Sequence, residues 1–372
     1  MKLRVGECLC GSGEDYERCC KLKPRYTFDY HTYNQFIGKR ARQYDQFKMP
    51  CVFSNCSEPV IKSHTIQNNG ILDRLAVDGH VYETDGTAPD GYPKIELKKI
   101  GRNETSLFRC LCNRHDAELF APIEKQPYIG SDEQNLLYSF RSILFSLWKA
   151  TENRNYWKTE YFDKYNIFHD FFEGRAGGMY EQFILSNIAM QDDYARIRML
   201  HDKYMRAVEE RDFSILTHRC FELDYEIGFA CCSLLYTNTL PNGGAIDPNL
   251  VAEVGKENYY PQMTVACFPN DGKTHIICSW LNEDIDNAHY GKFFAQMRTT
   301  KEVLDVFNIM LPTITEEIYY SPVLIDSLTP KAKAELCRVA GAEPMLVGQY
   351  INTGYQWLNK KCGFDLFRMV RY

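Results

Sequence analysis

Apolar residues recur at helical spacing through the middle of the chain. Residues 135–149 are apolar on nearly all faces, which predicts a buried helix, and the polar run 131–134 before it is typical of a capping box. Residues 156–172 are rich in aromatics and also predict a helix. Residues 177–211 predict a long charged helix, because one apolar stripe repeats through them: Tyr180, Phe183, Ile184, Ile188, Ile197, Leu200, Tyr204 and Val208.

From about residue 214 the apolar period shifts towards two, which predicts strands. The predicted strands cover 214–223, 227–236, 262–268 and 274–281. Asn270-Asp271-Gly272 between the last two is a strong hairpin signal. Helices are predicted at 285–298, 300–310 and 330–340, and a short strand after Ser321-Pro322. Shorter strand-like pieces, 80–82 and 94–97, flank a Gly-, Asp- and Pro-rich loop predicted for 85–92. The pattern therefore predicts an α+β fold.

Composition and charge narrow the function classes. Hydrophobic residues make up 45% of the 372 positions and aromatic residues 14%, enough for a sizeable core. Neither a leader peptide nor an apolar run of 18 residues is evident, so we expect a cytoplasmic protein without membrane partners. The net charge is +2 over residues 1–130 and −8 over the rest, so nucleic-acid contacts are expected only from the first part. Walker, dinucleotide-binding and serine-elbow motifs are absent from the sequence, which disfavours the corresponding reactions.

The fifteen cysteines fall into two groups. Eight lie before residue 113 in tight pairs. The other seven are expected to be small buried hydrophobes: Cys220, Cys231, Cys232, Cys267, Cys278, Cys337 and Cys362. In a reducing compartment neither group is expected to form disulfides, so the paired cysteines point to metal binding.

The first paired cysteines, Cys8, Cys10, Cys19 and Cys20, lie on a loop too short to bury a core, so zinc would supply the folding energy. Gly11 and Gly13 permit a sharp turn after the first pair. Residues 7–20 resemble the SEC-C motif, a zinc knuckle appended to many bacterial proteins. The resemblance implies a closed structural zinc site that contacts a protein partner, and it implies no reaction.

Basic residues follow the knuckle. Residues 26–50 are predicted to form a linker helix, which either packs on the next module or faces nucleic acid. The basic side chains proposed for nucleic-acid contact are Lys21, Lys23, Arg25, Lys39, Arg40, Arg42 and Lys48.

A second possible zinc set lies in residues 51–116. Cys51 and Cys56 flank a short turn, and Cys112 and His115 have the spacing of a chelating pair at the first turn of a helix. Cys110 competes with Cys112 as the third ligand. The Cys-x-x-His spacing favours Cys112. His64 and Asp116 lie beside this set without being needed by it.

This order of residues resembles the treble-clef zinc module of HNH nucleases. The resemblance places Cys51, Cys56, Cys112 and His115 at the structural zinc positions. It implies that His64 is the general base and that Asp116 holds a catalytic Mg²⁺ or Mn²⁺. Such a site would activate water and stabilise the charge that develops on a phosphodiester.

Some features depart from that family. Ser106 and the two residues after it stand where an asparagine is expected, the nearest asparagine is Asn103, and the loop after His64 is long. Other roles therefore stay open: His64 as a structural strut or as a zinc ligand in place of His115, and Asp116 as an acid favoured by the helix dipole.

The predicted organisation has four parts: a SEC-C knuckle (1–25), a basic linker helix (26–50), an HNH-like zinc module (51–125), and a domain of helices followed by an antiparallel sheet (126–372). The leading hypothesis is a bacterial HNH-like nuclease, a metal-dependent hydrolase that cleaves DNA or RNA in phage defence or toxin-like work. The rival hypothesis is a non-catalytic zinc-binding adaptor or ligand sensor, and the acidic balance of the chain favours it.

Overall fold

The structure of the protein is a computed structural model. It describes residues 8–27, 46–87, 94–175, 177–248, 260–315, 317–340 and 361–370, together with the single positions 29, 31, 35 and 39. Within these ranges, side chains 179, 182 and 186 are not described. The described residues form helices and antiparallel sheets, which confirms the predicted α+β class.

The described strands form two sheets, and within both sheets neighbouring strands pair antiparallel. The small sheet pairs β1 (Ser63–His64) with β4 (Leu107–Phe108). The large sheet has seven strands in the order β3-β2-β9-β6-β7-β8-β5. Its strands are β2 (His80–Thr87), β3 (Lys94–Gly101), β5 (Leu216–Leu223), β6 (Phe229–Leu235), β7 (Met263–Asn270), β8 (Lys273–Leu281) and β9 (Ile318–Tyr320).

Ten α-helices are described, and several short turns are 3-10 or π-helical. The α-helices are α1 (Asp73–Leu75), α2 (Asn113–Leu119), α3 (Ala121–Glu124), α4 (Asp132–Trp157), α5 (His169–Phe172), α6 (Gly178–Glu210), α7 (Asp284–Ala295), α8 (Thr300–Ile314), α9 (Pro322–Asp326) and α10 (Pro330–Ala340). The 3-10 turns are Tyr16–Arg18, Cys20–Leu22, Arg102–Glu104 and Phe213–Ile215, and the π-helical turns are Asn68–Leu72 and Lys158–Phe162.

The central strands of the large sheet bury both faces. On β6, Phe229 and Cys231 point into one core with the C-terminal helices, whereas Ala230 and Cys232 point into the other core with α4 and α6. Side chains of a strand alternate between the two faces, so a strand covered on both sides has an almost continuous apolar sequence. The sheet therefore forms the middle layer between two groups of helices.

The second core also contains the cysteine-rich segment that begins at Cys51. Phe108, Leu111 and Phe120 are fully buried in it together with residues of α4. The β2–β3 hairpin, inserted between the two strands of the small sheet, joins the large sheet through Tyr82, which pairs with Tyr320. The segment from 51 to 125 thus shares its core with later parts of the chain. The domain boundaries proposed from the sequence stay a prediction.

Most predicted elements are present, with shifted ends. The capping Ser131 accepts a hydrogen bond from the backbone N–H of Gln134, and α4 continues for eight residues beyond its predicted end at 149. The predicted turn is confirmed, because Asp271 and Gly272 both have positive φ, as a type I′ hairpin requires.

Four predictions were wrong. The predicted helix 156–172 is broken by a π-helical turn and a loop, and only its last residues, His169–Phe172, form a separate helix. The segment after Ser321 is the helix α9, because Ser321 caps it and Pro322 suits a first helical turn. The loop predicted for 85–92 is strand β2 through Thr87, and its remaining residues lie outside the described ones. Cys220 is exposed, whereas four of the six other late cysteines are buried. Most of the predicted linker helix 26–50 lies outside the described residues.

Candidate metal centres and the His64 site

The knuckle brings four sulfur atoms together at the start of the described chain. They all lie within 4.8 Å of one another, and the sulfurs of Cys10 and Cys19 are 3.5 Å apart. Gly11 and Gly13 have φ of 71° and 79°, the left-handed backbone that the turn between the cysteine pairs requires. The set of four thiols fits a tetrahedral zinc ion and leaves no open coordination position. Its members are Cys8, Cys10, Cys19 and Cys20.

The knuckle is docked on the ends of α4 and α6 and on the segment between them. Tyr16 accepts a hydrogen bond from the side-chain amide of Asn166 at 2.8 Å, and its ring lies 4.5 Å from that of Phe172. Arg25 pairs with Asp170 at 2.8 Å. The cysteines belong to one apolar cluster with aromatic residues of the helices. One side of the knuckle is therefore covered by its own chain.

The second cluster is assembled from two distant segments. The Nδ1 atom of His115 lies 3.2 Å from the sulfur of Cys51 and 3.4 Å from that of Cys112, and the sulfurs of Cys56 and Cys112 are 3.7 Å apart. The ring of Phe53 stacks on His115 with centroids 4.1 Å apart. Three thiols and one imidazole fit a structural zinc ion.

Backbone hydrogen bonds hold the two halves of this cluster. Val52 donates its N–H to the carbonyl of Cys110, and Ile61 donates to that of Leu111. Cys112 is the N-cap of α2, and its sulfur accepts a hydrogen bond from the backbone N–H of His115. The loop from Cys51 is thereby fixed beside the first turn of α2.

Cys110 does not belong to either metal-binding group of the described residues. It is completely buried, and its thiol contacts the carbonyl of Leu144. Burial raises the pKa of Cys110 well above its ordinary value, so its sulfur stays protonated. The sequence-based choice of Cys112 over Cys110 agrees with this geometry.

His64 lies at the end of β1, opposite Leu107 on β4. Its Nδ1 atom is 3.1 Å from the carbonyl oxygen of Thr105. A carbonyl only accepts hydrogen bonds, so Nδ1 carries the proton and Nε2 is left as the basic atom. Burial lowers the pKa of His64, and the positive charge of Arg141 lowers it further. The hydrogen bond to the Thr105 carbonyl has the opposite effect and raises this pKa. The imidazole is therefore neutral at pH 7.

Ser106, which stands where the family resemblance expects an asparagine, braces the two short strands. Its hydroxyl accepts a hydrogen bond from the N–H of Ile66 at 2.7 Å, and its carbonyl accepts one from the N–H of Thr65. Its own N–H donates to the hydroxyl of Tyr319 on β9 at 3.0 Å. Ser106 has φ of 60°, an uncommon backbone conformation for serine. This departure from the family pattern thus has a definite structural role beside His64.

Asp116 follows His115 on α2 and is largely enclosed. Burial raises the pKa of Asp116, whereas the neighbouring Ser63 side chain and the charge of Arg141 lower it. Ser63 directly precedes His64, so Asp116 lies beside the strand that carries His64. The structure therefore places the two residues proposed for catalysis on adjoining elements, β1 and α2.

Glu124 and Arg141 complete the surroundings of both residues and were missed in the sequence. The guanidinium of Arg141 pairs with Glu124 and lies 4.0 Å from the ring centre of Phe120. Arg141 is 1% exposed. The charges of both residues act on His64 and on Asp116. A lone arginine in the apolar run of α4 was the available signal, since a buried charge needs a partner.

The described residues do not place a third metal-ligating side chain with His64 and Asp116. Groups of three or more such side chains occur only at the two cysteine-rich clusters. A Mg²⁺ ion commonly uses one or two carboxylates and completes its shell with water and substrate phosphates. A divalent ion held by Asp116 would therefore take most of its ligands from water and substrate.

The basic residues proposed for nucleic-acid contact are largely engaged within the chain. Lys21 pairs with Glu17, Arg25 with Asp170 and Lys39 with Glu160, and Lys23 donates to the carbonyl of Phe162. Lys48 is exposed. Arg40 and Arg42 lie outside the described residues. A nucleic-acid contact through this region stays a prediction.

Comparisons with known proteins add no family assignment. A scan against family models and searches of the curated proteins and of the solved structures found no match to this chain. Among the described helices, none has both the length and the apolar character that a bilayer crossing requires. The chain carries two cysteine-rich groups, each able to hold a metal ion.

Proposed function

We propose that this protein is an HNH-like, metal-dependent nuclease in which His64 is the general base and Asp116 a ligand of the catalytic ion. The observation that carries the proposal is the His64 imidazole. It is neutral, its Nδ1 is engaged by the Thr105 carbonyl, and it lies on a short antiparallel sheet that leads into α2. The order β1, β4, α2, with Cys112 and His115 opening the helix, is the one expected for a treble clef of this family.

Each residue would have a definite part in hydrolysis. Nε2 of His64 takes a proton from water, and the hydroxide attacks phosphorus while the bond from phosphorus to the leaving oxygen breaks. The hydrogen bond from Nδ1–H to the Thr105 carbonyl keeps the ring in the orientation and tautomer that this step needs. A Mg²⁺ or Mn²⁺ ion bound by Asp116 would stabilise the negative charge that develops on the phosphate oxygens. Glu124, whose charge acts on Asp116, is a candidate for a second acidic ligand, provided that its ion pair with Arg141 breaks.

The two cysteine-rich groups have structural parts in this proposal. Zinc at both groups would supply folding energy, roughly 10–16 kcal/mol for such sites in peptides. We propose that the first group is a SEC-C knuckle and that the second one fixes α2 against β1. Neither group offers a free coordination position, because each has four protein ligands.

The test is cleavage of plasmid DNA and of RNA with Mg²⁺ or Mn²⁺ by the wild-type chain and by His64→Ala. The control is His80→Ala, since His80 also bonds a backbone carbonyl through Nδ1 but is exposed on β2. We expect His64→Ala to lower the cleavage rate at least about 100-fold, as for loss of a general base, and His80→Ala to leave it unchanged. Equal rates for all three proteins would rule out the proposed role of His64.

A zinc-dependent adaptor or ligand sensor is the second candidate. The absence of a third ligating side chain beside His64 and Asp116 in the described residues favours it. In that case both metal groups are scaffolds, and neither DNA nor RNA is cleaved with either cation.

A further inference from the structure

A cavity of about 320 Å³ lies between the segment after β1 and the end of α3. Its wall also includes the segment after α3, one residue of α4, and the end of β7 with the turn that follows it. The residues used below are Gln67, Glu124, Gln126, Tyr128, Tyr138 and Phe268. Glu124 lines the cavity and pairs with the buried Arg141, and Gln67, three positions after His64, donates to the Glu124 carbonyl. The cavity and the surroundings of His64 therefore share Glu124.

Aromatic rings form the apolar part of the cavity. Tyr138 and Phe268 stack with centroids 4.7 Å apart, and Tyr128 meets both rings edge to face at 5.9 and 5.8 Å. Tyr138 is 5% exposed and lines the cavity, and no hydrogen bond of its hydroxyl is found among the described residues. The exposed part of this side chain opens to the cavity, where a ligand or water can bond the hydroxyl.

The rim of the cavity is polar but not strongly charged. Gln67 and Gln126 present side-chain amides, which both donate and accept hydrogen bonds. The two acids of the lining are each paired with an arginine, Glu124 with Arg141 and Asp271 with Arg74, and the exposed Lys125 also lines the cavity. The cavity thus suits a planar group with donors and acceptors along its edge, beside an anionic group such as phosphate.

Hydrogen bonds from two glutamine side chains fix one wall of the cavity. Gln134 donates to the carbonyls of Pro122 and Pro127 and accepts from the N–H of Ile129. Gln67 donates to the carbonyl of Glu124 at 3.1 Å. These bonds fix the segment after α3 from two sides. The cavity is therefore formed without a ligand, as is usual for small-molecule sites.

We propose that this cavity binds one nucleobase of the nucleic-acid strand whose phosphodiester lies at His64. The inference rests on the proposed function and names its substrate contact. A base has an apolar face for the partly exposed ring of Tyr128 and a polar edge for the amides and the Tyr138 hydroxyl. The volume lies at the lower end of ligand pockets, about 300–1,000 Å³, so it admits one base and not a duplex. The substrate is thus a single strand or a duplex with one base turned out of the stack.

The experiment uses the full chain carrying His64→Ala, which binds without cleaving. Single-stranded DNA and RNA with one 5-iodouracil are crosslinked to it by light, and the crosslinked peptides are identified by mass spectrometry. We expect the crosslink at Tyr128, Tyr138 or Phe268. A nucleoside monophosphate is added as competitor, which distinguishes a free nucleotide from a base within a strand.

Two variants measure the contribution of the cavity to strand binding. Tyr138→Phe removes the hydroxyl and keeps the ring, and Gln126→Ala changes an exposed rim residue that does not hold the fold. Each is expected to weaken strand binding about three- to tenfold. Tyr320→Phe is the matched control, because it removes another buried hydroxyl remote from the cavity. It should leave strand binding unchanged.

The outcomes separate this inference from the proposed function. Crosslinks only elsewhere, with unaltered binding by Tyr138→Phe, overturn the base site even when the wild-type chain cleaves. Tight binding of the mononucleotide without binding of the strand also overturns it. A crosslink in the cavity, together with no cleavage by the wild-type chain, supports the base site and overturns the nuclease.

Discussion

The two cysteine-rich groups differ in how the chain builds them and in what surrounds them. The knuckle draws all four sulfurs from Cys8 to Cys20 and is covered by aromatic residues of the helices. The second group joins Cys56 to Cys112 across 56 positions of the chain. It is followed by Asp116, and the buried Arg141 lies nearby. A metal bound by the first group orders a local loop, whereas a metal bound by the second closes a long loop around a charged site.

The largest effect is expected from the ligand that also caps a helix. Cys112→Ala should remove one zinc per chain and lower the free energy of unfolding by more than about 4 kcal/mol, since it removes a metal site and a helix cap together. Cys110→Ala is the matched control, because Cys110 is buried two residues away but is not a ligand. It should keep both zincs and cost about 1–2 kcal/mol. Elemental analysis and urea unfolding check both variants, and equal zinc contents would contradict the ligand assignment.

The knuckle should behave differently. Cys20→Ala should also remove one zinc per chain, but the loss of order should stay local, near the residues that dock on α4 and α6. We expect faster proteolysis within residues 8–27 and a cleavage rate within about twofold of the wild type. A loss of cleavage as large as that of His64→Ala would show that the two groups are not separate in function.

Removal of Arg141 should have an intermediate effect on the free energy of unfolding. Arg141→Met leaves Glu124 without its buried partner. It should lower the free energy of unfolding by about 2–3 kcal/mol, less than for a fully buried pair because the Glu124 side chain is 30% exposed. Adding Glu124→Gln should recover most of this loss. Arg114→Met removes an exposed pair with Glu58 and should cost less than about 1 kcal/mol. Similar losses from both arginines would contradict the buried-pair account.

The pH profile of cleavage tests the state of His64. Since burial lowers the pKa of His64 below its ordinary value of 6.5, the base is neutral at pH 7 and is lost only as the pH falls through the lowered pKa. The cleavage rate should stay constant from pH 7 upward until another group of the site titrates. Below the lowered pKa it should fall about tenfold for each pH unit. An acid limb centred above pH 7 would contradict this environment.

The smallest effect is expected on nucleic-acid binding, from removal of an exposed lysine. Lys62 precedes Ser63 and is exposed, and no ion pair to it is found among the described residues. Lys62→Ala should weaken nucleic-acid binding a few-fold at all sequences and reduce the salt slope by about 1. Lys21→Ala is the control, because Lys21 already pairs with Glu17. Salt titrations of binding distinguish the two variants.

Local signals in the sequence predicted much of the fold. The helix cap at Ser131, the hairpin turn at Asp271 and Gly272 and the apolar stripe of α6 all depend on residues close in the chain. The π-helical break after Trp157 and the place of β2 and β3 in the large sheet depend on packing with distant residues. Pairing of Tyr82 with Tyr320, for example, leaves no signal in either segment.

In the candidate site, too, some features depend on residues close in the chain and others on distant packing. The cysteine pairs and the spacing of Cys112 and His115 are visible in the sequence because metal ligands must approach closely. Arg141 stands out in the apolar run of α4, but its ion pair with Glu124 is not visible in the sequence, since it depends on how α4 packs on Phe120. The bracing role of Ser106 also needs Tyr319, which lies 213 positions later. A family resemblance could not supply these contacts.

The most direct test of the account is the zinc content of His64→Ala, measured by elemental analysis beside the wild-type chain. The account predicts two zincs per chain in both proteins, because His64 bonds Thr105 and the second group already has four ligands. One zinc fewer in the variant would make His64 a ligand, contradict its role as a base and favour the adaptor.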